Sequence, residues 1–309
     1  MLIKVLGSAA GGGFPQWNCN CRNCADVREG LDGLRPRTQS SIAVSAGVRD
    51  FVLLNASPDL RQQITDTPEL QPIGGSARSS PIKAVVLTNG DVDHVAGLLN
   101  MREGQPFTIY ATDRVLQVLQ SNSVFDVLDK RIVRRRALAL GQPFTIQGPT
   151  GFLGLDVEAF AVPGKIALYL EDEQAGETLG TEEGDTVGLK LTEKGSGRYF
   201  FYIPGCAALD DELRARLKRA PLVFFDGTLY SDDEMIAQGL LNKTGTRMGH
   251  LNMSGPGGTL AAFEDLEVGR KIFVHVNNSN PAFREDSPER RAIEAAGWEI
   301  GYDGMEVAL

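Results

Sequence analysis

A chain of 309 residues that is 42% hydrophobic and 23% charged has the apolar content for a large packed core, which excludes a mostly disordered protein. Its formal net charge of −9 excludes a nucleic-acid partner held through phosphates, because that needs clustered Lys and Arg, and the one basic run, Arg134-Arg135-Arg136, reads as a solvated face. No stretch has the apolar length that spans a bilayer and the N-terminal apolar run is too short for a secretory signal, so membrane insertion is not expected and the cytoplasm is the expected location.

From the N-terminus onward, runs rich in β-branched and aromatic residues predict strands over residues 3–6, 42–44, 51–54, 84–87, 107–110, 157–162, 187–191, 199–203, 222–225 and 272–276, with a final segment over 299–307. Helices are predicted between particular strands, over 96–103, 113–121, 209–220, 259–266 and 288–296. The last is bracketed by Ser287 as N-cap, Pro288 at its first position and Gly297 just beyond its end. Glu193-Lys194-Gly195-Ser196-Gly197 between two apolar runs predicts an antiparallel hairpin, whereas other strands are separated by helices. Mixed sheets are the consequence, and two of them packed together with helices outside would bury every strand. No linker or repeat divides the chain, so one α/β domain over 1–309 is expected.

The chain has only three histidines, and each lies in a Gly-, Asp- or Asn-rich segment instead of on an apolar helix face. His94 follows strand 84–87 through Thr88-Asn89-Gly90-Asp91-Val92-Asp93, immediately before a helix. Asp226 ends the apolar run 222–225, and His275 ends the run 272–276. Strand-end loops are where α/β proteins put reactive groups. If these strands lie side by side and parallel, Asp93, His94, Asp226 and His275 converge at one sheet edge as ligands for a single divalent metal with positions left open. Singly, Asp93 could cap a helix, Asp226 could cap a turn and the histidines could be ordinary polar groups. Together, carboxylates recurring beside the chain's few histidines at strand ends favour a metal. His250, among glycines, is expected to face substrate or move a proton. Cys19-x-Cys21-x-x-Cys24 has metal-binding spacing, and Cys206 is expected to be packed instead of reactive.

The segment Thr88–His94 resembles the metallo-β-lactamase signature Thr-His-x-His-x-Asp-His, with Asp226 and His275 at the later carboxylate and histidine positions. The opening Gly7 to Cys21, Val162-Pro163-Gly164-Lys165, Gly249-His250-Leu251, His275 to Pro281 and Asp303-Gly304-Met305-Glu306 are similar to the coenzyme PQQ synthesis protein B family of that superfamily. The resemblance implies an αββα sandwich of two mixed β-sheets flanked by helices, with a Cys-rich structural-metal loop near residues 11–25. Asn89 and Asp91 stand where the superfamily's hydrolases have first-site histidines, and Pro163-Gly164-Lys165 replaces another, which leaves one metal where those hydrolases use two. His250, Asp91 and Asn89 remain as candidate catalytic residues. Two-metal hydrolysis is thereby disfavoured, and two histidines with carboxylates resemble non-haem iron ligation. For the family, the resemblance implies a part in making pyrroloquinoline quinone (PQQ). The role that suits such a site is iron- and oxygen-dependent hydroxylation of the tyrosine in a Glu-Tyr precursor, with zinc or manganese as other metals the ligands accept. Carriage of PQQ or its precursor toward the periplasm, and zinc-dependent hydrolysis, stand as alternatives; other PQQ biosynthesis proteins are potential partners. Related phosphodiesterases hold a structural zinc with an equivalent Cys triplet and a histidine, at whose position this chain has Asn278. Cys19, Cys21 and Cys24 are therefore expected to hold structural zinc, with Asn278 as a weak fourth ligand or a carboxylate or water in its place.

Overall fold

The strand Leu222–Asp226 is buried on both faces: Leu222 and Phe224 point one way, Val223 and Phe225 the other, and all four are 0% exposed. Its neighbour Arg270–Val274 repeats the pattern, with Ile272 and Val274 joining the first pair and Phe273 the second. Each large apolar side chain buried in this way contributes roughly 1.5–3 kcal/mol. Such strands require a layer on each side. A computed structural model, which describes residues 1–47, 49–72, 74–164 and 184–309, supplies both.

The layers are two seven-stranded sheets and their helices. The first contains β1 (Leu2–Gly7), β2 (Ser41–Ser45), β3 (Phe51–Leu54), β4 (Ile82–Val86), β5 (Phe107–Ala111) and β6 (Val133–Ala137) in chain order, with β14 (Glu306–Ala308) beyond β1. The second runs from β7 (Phe144–Gly148) through β8 (Gly151–Ala161), β9 (Val187–Glu193), β10 (Tyr199–Ile203), β11 (Leu222–Asp226) and β12 (Arg270–Val274) to β13 (Trp298–Ile300). In each sheet part of the ladder is antiparallel and part parallel, the parallel part being β3 to β6 in one and β10 to β13 in the other. The predicted hairpin is the antiparallel pair β9–β10.

Side chains from both sheets form the central core, where Ile42, Val52 and Val86 lie in one cluster with Leu189, Phe224 and Val274. Outside the first sheet pack α2 (Leu60–Asp66) and α4 (Asp113–Ser121), through Leu60, Val115 and Leu119. Outside the second pack α5 (Asp211–Leu217) and α8 (Pro288–Ala295), through Leu213, Leu217 and Ile293. This is the expected αββα sandwich. Ser287 caps α8 as predicted, its side chain accepting from the Arg290 amide. Among the described residues no helix is long and apolar enough to cross a membrane.

Several expectations need correction. Strand 84–87 is β4, in the sheet opposite β11 and β12, so the three strand ends that carry Asp93, His94, Asp226 and His275 do not lie side by side in one sheet. The final segment 299–307 is two strands in different sheets, β13 and β14, parted by Gly301 and a left-handed Gly304 (φ 86°). The helix predicted over 96–103 starts earlier as α3 (Val92–Val95) and tightens into a 3₁₀ segment, Ala96–Met101. Gly97 explains the close packing there, since a Cβ at this position would lie 2.1 Å from the Ser57 carbonyl oxygen. The helix predicted over 209–220 is shortened to α5, starting after the capping carboxylate of Asp210 and ending before Arg219 turns left-handed (φ 60°). Only Thr259–Ala262 of 259–266 is α-helical. Helix α1 (Arg22–Arg28), α2, β6 and β7 carry too little periodic signal to be predicted. The Arg134-Arg135-Arg136 run lies in the edge strand β6 with Arg134 and Arg136 exposed and Arg135 half-buried.

Candidate metal centre

The two sheets meet the site from opposite sides. β4 leads through Thr88 to Asn89, Asp91 and α3, and β11 and β12 bring Asp226 and His275 from across the sandwich. The segment leaving β1 ties them together, since the Val276 amide donates to the Ser8 carbonyl (2.9 Å) and the Ala10 amide to the Val276 carbonyl (2.8 Å). Gly11, next along, sits so close to Asp93 that a Cβ there would meet the carboxylate at 3.5 Å. The result is a cavity of about 260 Å³ lined by residues of both sheets.

Asp93, His94 and His275 offer ligand atoms within 4.8 Å of one another. Asp93 Oδ2 is 3.0 Å from His275 Nε2 and 3.8 Å from His94 Nε2. Asp91, not Asp93, holds the N-cap position of α3, and its side chain makes no capping bond. His275 is in the left-handed region (φ 57°), a conformation that costs a non-glycine residue on the order of 1–3 kcal/mol and turns the imidazole out of the strand's alternation.

The protons on these rings follow from their partners. His94 Nδ1 lies 2.6 Å from Asn89 Oδ1, an oxygen that can only accept, so Nδ1 carries the proton. His94 Nε2 is then a lone pair, and among the described residues it is a buried nitrogen with no hydrogen-bond partner. Burial also pushes His94 below its ordinary value. At His275 the Nδ1 atom is 2.9 Å from Thr228 Oγ1, whose own proton goes to the Asp226 carboxylate at 2.6 Å. Nδ1 therefore donates to Thr228, and Nε2 faces Asp93. Burial pulls His275 downward, but its hydrogen bond to Asp93 and the charges of Asp93, Asp226 and Asp91 hold it above its ordinary value. Burial raises Asp93, yet the charges of His94 and His275 outweigh that and keep the carboxyl ionised well below the usual range. In the metal-free protein a proton thus bridges Asp93 and His275, in a position that a cation can take over.

Asp226, the fourth expected ligand, has its carboxylate oxygens engaged by protein donors. It continues the inward alternation of Leu222 and Phe224, is 0% exposed, and forms a second group with His250 and His275. Its Oδ1 accepts from the Thr228 amide (3.0 Å) and hydroxyl (2.6 Å), while Oδ2 accepts from the Cys206 amide (2.9 Å) and His250 Nδ1 (2.6 Å). The bond from the Thr228 amide is the turn cap that the sequence allowed. Four donors fill the four lone-pair positions of the carboxylate. Burial raises Asp226, and the charge and hydrogen bond of His250, with those of His275 and Thr228, bring it below its ordinary value.

His250 lines the cavity, its ring stacked on His275 with centroids 5.3 Å apart. Because Nδ1 donates to Asp226, Nε2 is its basic nitrogen. Asp91 and Asn89 also line the cavity, and Asn89 orients His94 as well. Pro163 lines a different cavity, with Asp210 and Arg216, and Lys165 lies outside the described residues. Cys206 is 0% exposed and burial pushes its thiol up, as expected of a packed cysteine. Thr228 was not singled out by sequence; the only available signal was its place after Asp226-Gly227.

The cysteine cluster meets the chain at Asn278, three residues past His275. Cys19, Cys21 and Cys24 offer sulfurs within 4.8 Å of one another, and Asn278 Nδ2 faces all three, at 3.1, 3.7 and 3.3 Å respectively. Burial and the neighbouring thiols push Cys21 up to about 12, while hydrogen bonds from Cys21, Cys24 and Asn278 outweigh burial at Cys19 and lower it.

A two-sheet sandwich with histidines and carboxylates gathered at its strand ends is the arrangement of the metallo-β-lactamase class, and residues 51–276 match the family described as the Beta-lactamase superfamily domain. Within that class the chain belongs to the coenzyme PQQ synthesis protein B family of PQQ biosynthesis proteins. It is 51% identical over 310 residues to coenzyme PQQ synthesis protein B of Bradyrhizobium diazoefficiens, covering 99% of each chain. It is 53% identical over 307 residues to that of Rhizobium meliloti, covering 99% of this chain and 97% of the relative. The crystal structure of Zn²⁺-bound PqqB from Methylobacterium extorquens superimposes with a TM-score of 0.94 at 50% identity, over 100% of both chains.

Proposed function

We propose that the chain is a metal-dependent oxygenase of PQQ biosynthesis that hydroxylates the tyrosine ring of a Glu-Tyr-derived precursor. The observation that carries this reading is the group Asp93, His94 and His275: two imidazoles and one carboxylate with ligand atoms within 4.8 Å, and a buried His94 Nε2 that has no partner among the described residues. Two histidines and one carboxylate with open positions is the donor set of non-haem iron oxygenases, and Asn89 and Asp91 stand where hydrolases of the superfamily have first-site histidines. Bound there, ferrous iron would supply the means of activating O₂. Asp226 joins the set only by giving up a hydrogen bond from one of its four donors, of which the His250 and Thr228 side chains line the cavity.

The protein's own groups would orient the substrate and manage protons. Asn89 holds His94 in one tautomer; Thr228 does the same for His275; such partners strengthen ligation. His250, tethered by Asp226, presents its basic Nε2 to the cavity and takes up the proton that the ring loses at the carbon gaining oxygen. In the balanced reaction one oxygen atom of O₂ enters the ring and the other leaves as water, with a reductant providing two electrons. Cys19, Cys21 and Cys24 hold a structural zinc in this reading, and the Asn278 amide, already facing the three sulfurs, completes the set through its oxygen after a flip.

The test is anaerobic loading with ferrous iron, zinc or manganese, then exposure to oxygen, a reductant and a Glu-Tyr peptide, with product mass as the readout. A gain of one oxygen confined to the iron form supports the proposal. Peptide cleavage by the zinc form, or tight PQQ binding with no reaction in any form, would replace it with hydrolysis or carriage.

A further inference from the structure

Glu234 is a buried carboxyl that the proposed chemistry does not use. It lies in α6 (Glu234–Ala237), 4% exposed, and its neighbours are donors: the Tyr230 amide to Oε2 at 2.7 Å and the Ser279 hydroxyl to Oε1 at 2.5 Å. Ser279 Oγ is also 2.6 Å from Asn277 Nδ2, which in turn lies 3.2 Å from the sulfur of Met235. Asn277 and Met235 both line the metal-site cavity. The four residues form one chain of contacts from the interior to the cavity wall.

Donor and acceptor counting gives this chain a direction. Burial pushes the Glu234 carboxyl up to about 7, and above that pH it is a carboxylate that only accepts, so the single Ser279 proton is committed to it. Ser279 Oγ must then accept from its other neighbour, and Asn277 has to turn its NH₂ toward Ser279 and Met235. This logic sets the amide orientation independently of how nitrogen and oxygen were assigned. What remains is Asn277 Oδ1, on a side chain only 9% exposed, with no hydrogen-bond partner among the described residues. Asn277 lines the cavity, where a donor on a bound molecule can reach it.

We infer that Asn277 Oδ1 is a specificity-determining acceptor for a neutral hydrogen-bond donor on the substrate, a phenol hydroxyl, and that Glu234 is a positioning residue that sets its polarity through Ser279. The adjoining Met235 thioether supplies a polarisable surface for the ring that carries the hydroxyl. The inference takes the cavity as the substrate site, as the proposed function does, but requires neither iron nor turnover.

The closing experiment therefore uses binding alone. Zinc-loaded protein is titrated with phenol and with anisole, which has the same ring without the donor, and the Asn277 side-chain amide is followed by ¹⁵N NMR. The expected result is phenol bound about 3- to 10-fold more tightly than anisole, the value of one neutral hydrogen bond. Glu234→Gln should abolish that preference: the Tyr230 amide holds the new carbonyl oxygen, the new NH₂ faces Ser279, and the relay reverses so that Asn277 no longer offers its oxygen. Ser279→Ala should abolish it by cutting the relay, and Asn277→Asp should preserve it by keeping an acceptor. Zinc affinity, measured in parallel, should change less than about twofold in the Glu234 and Ser279 variants, neither of which touches Asp93, His94 or His275. Equal affinity for the two probes, no binding of either, or a preference that survives both Glu234→Gln and Ser279→Ala would overturn the inference. A failure to hydroxylate Glu-Tyr with the phenol preference intact would overturn only the proposed chemistry.

Discussion

The chain builds two candidate metal centres around one stretch, His275 to Asn280, and it builds them by opposite means. The Cys cluster takes three ligands from six consecutive positions of one loop and meets the rest of the fold through Asn278. The histidine centre takes its groups from two sheets, with Asp93 and His275 separated by 182 positions in sequence and 3.0 Å in space. A local cluster can bind an ion before the fold is complete, so binding there contributes to folding itself. A dispersed centre exists only after both sheets have formed, so the fold bears its cost and the ion adds chemistry. The same contrast separates their ligands, since thiolates with a capping amide suit a closed structural ion and imidazoles with a carboxylate leave positions open.

The largest expected effect separates the two directly. Cys24→Ser should release the structural zinc and lower the Tm by on the order of 10 °C, read by calorimetry with zinc content measured in parallel. His94→Ala loses the Asn89 hydrogen bond and leaves a small buried void, so it should lower the Tm of the metal-free protein by less than Cys24→Ser does, yet reduce active-site metal affinity by about 1000-fold or more. Equal losses of Tm from both variants would erase the distinction.

How much of this was legible in the sequence follows the same division. Cys19-x-Cys21-x-x-Cys24 announces its cluster by spacing alone, and the apolar runs of β11 and β12 announce their burial. The dispersed centre was legible as a set of residues but not as an arrangement. Periodicity shows that β4, β11 and β12 end beside reactive groups; it contains nothing that says β4 belongs to the facing sheet, because sheet membership is decided by long-range pairing. For the same reason the hydrogen-bond partners of Asp226 were not legible. Its commitment to Thr228, Cys206 and His250 depends on a loop after β10 and a turn after β11 that only the fold brings together. The positive φ at His275 was hidden as well, since no glycine or asparagine marks that position.

A smaller effect sharpens the account of His94. Asn89→Ala removes the acceptor that fixes its tautomer and should weaken active-site metal binding about 10- to 100-fold with the zinc content of the Cys cluster unchanged, as titration with a chromophoric chelator would show. An unchanged affinity would mean that Thr88, whose hydroxyl is 3.5 Å from the same nitrogen, suffices.

The smallest is a dependence on pH. His275 sits above its ordinary value in the metal-free protein, and Nε2 must lose its proton to bind a cation. Below that raised value, metal affinity should therefore fall by about tenfold for each pH unit, and above it the dependence should flatten. Asp93→Asn removes the partner that raises His275 and should move the bend to lower pH. The Cys cluster should bend elsewhere, since the Cys21 thiol is pushed up to about 12.

The central claim is that one ion is held by Asp93, His94 and His275. Crystals of the iron-loaded protein, grown without oxygen and measured at the iron absorption edge, test it most directly. The account predicts one anomalous peak within bonding distance of Asp93 and of the Nε2 atoms of His94 and His275. Two iron peaks in the cavity, or a single peak bound by Asp226 and His250 away from His94, would contradict it.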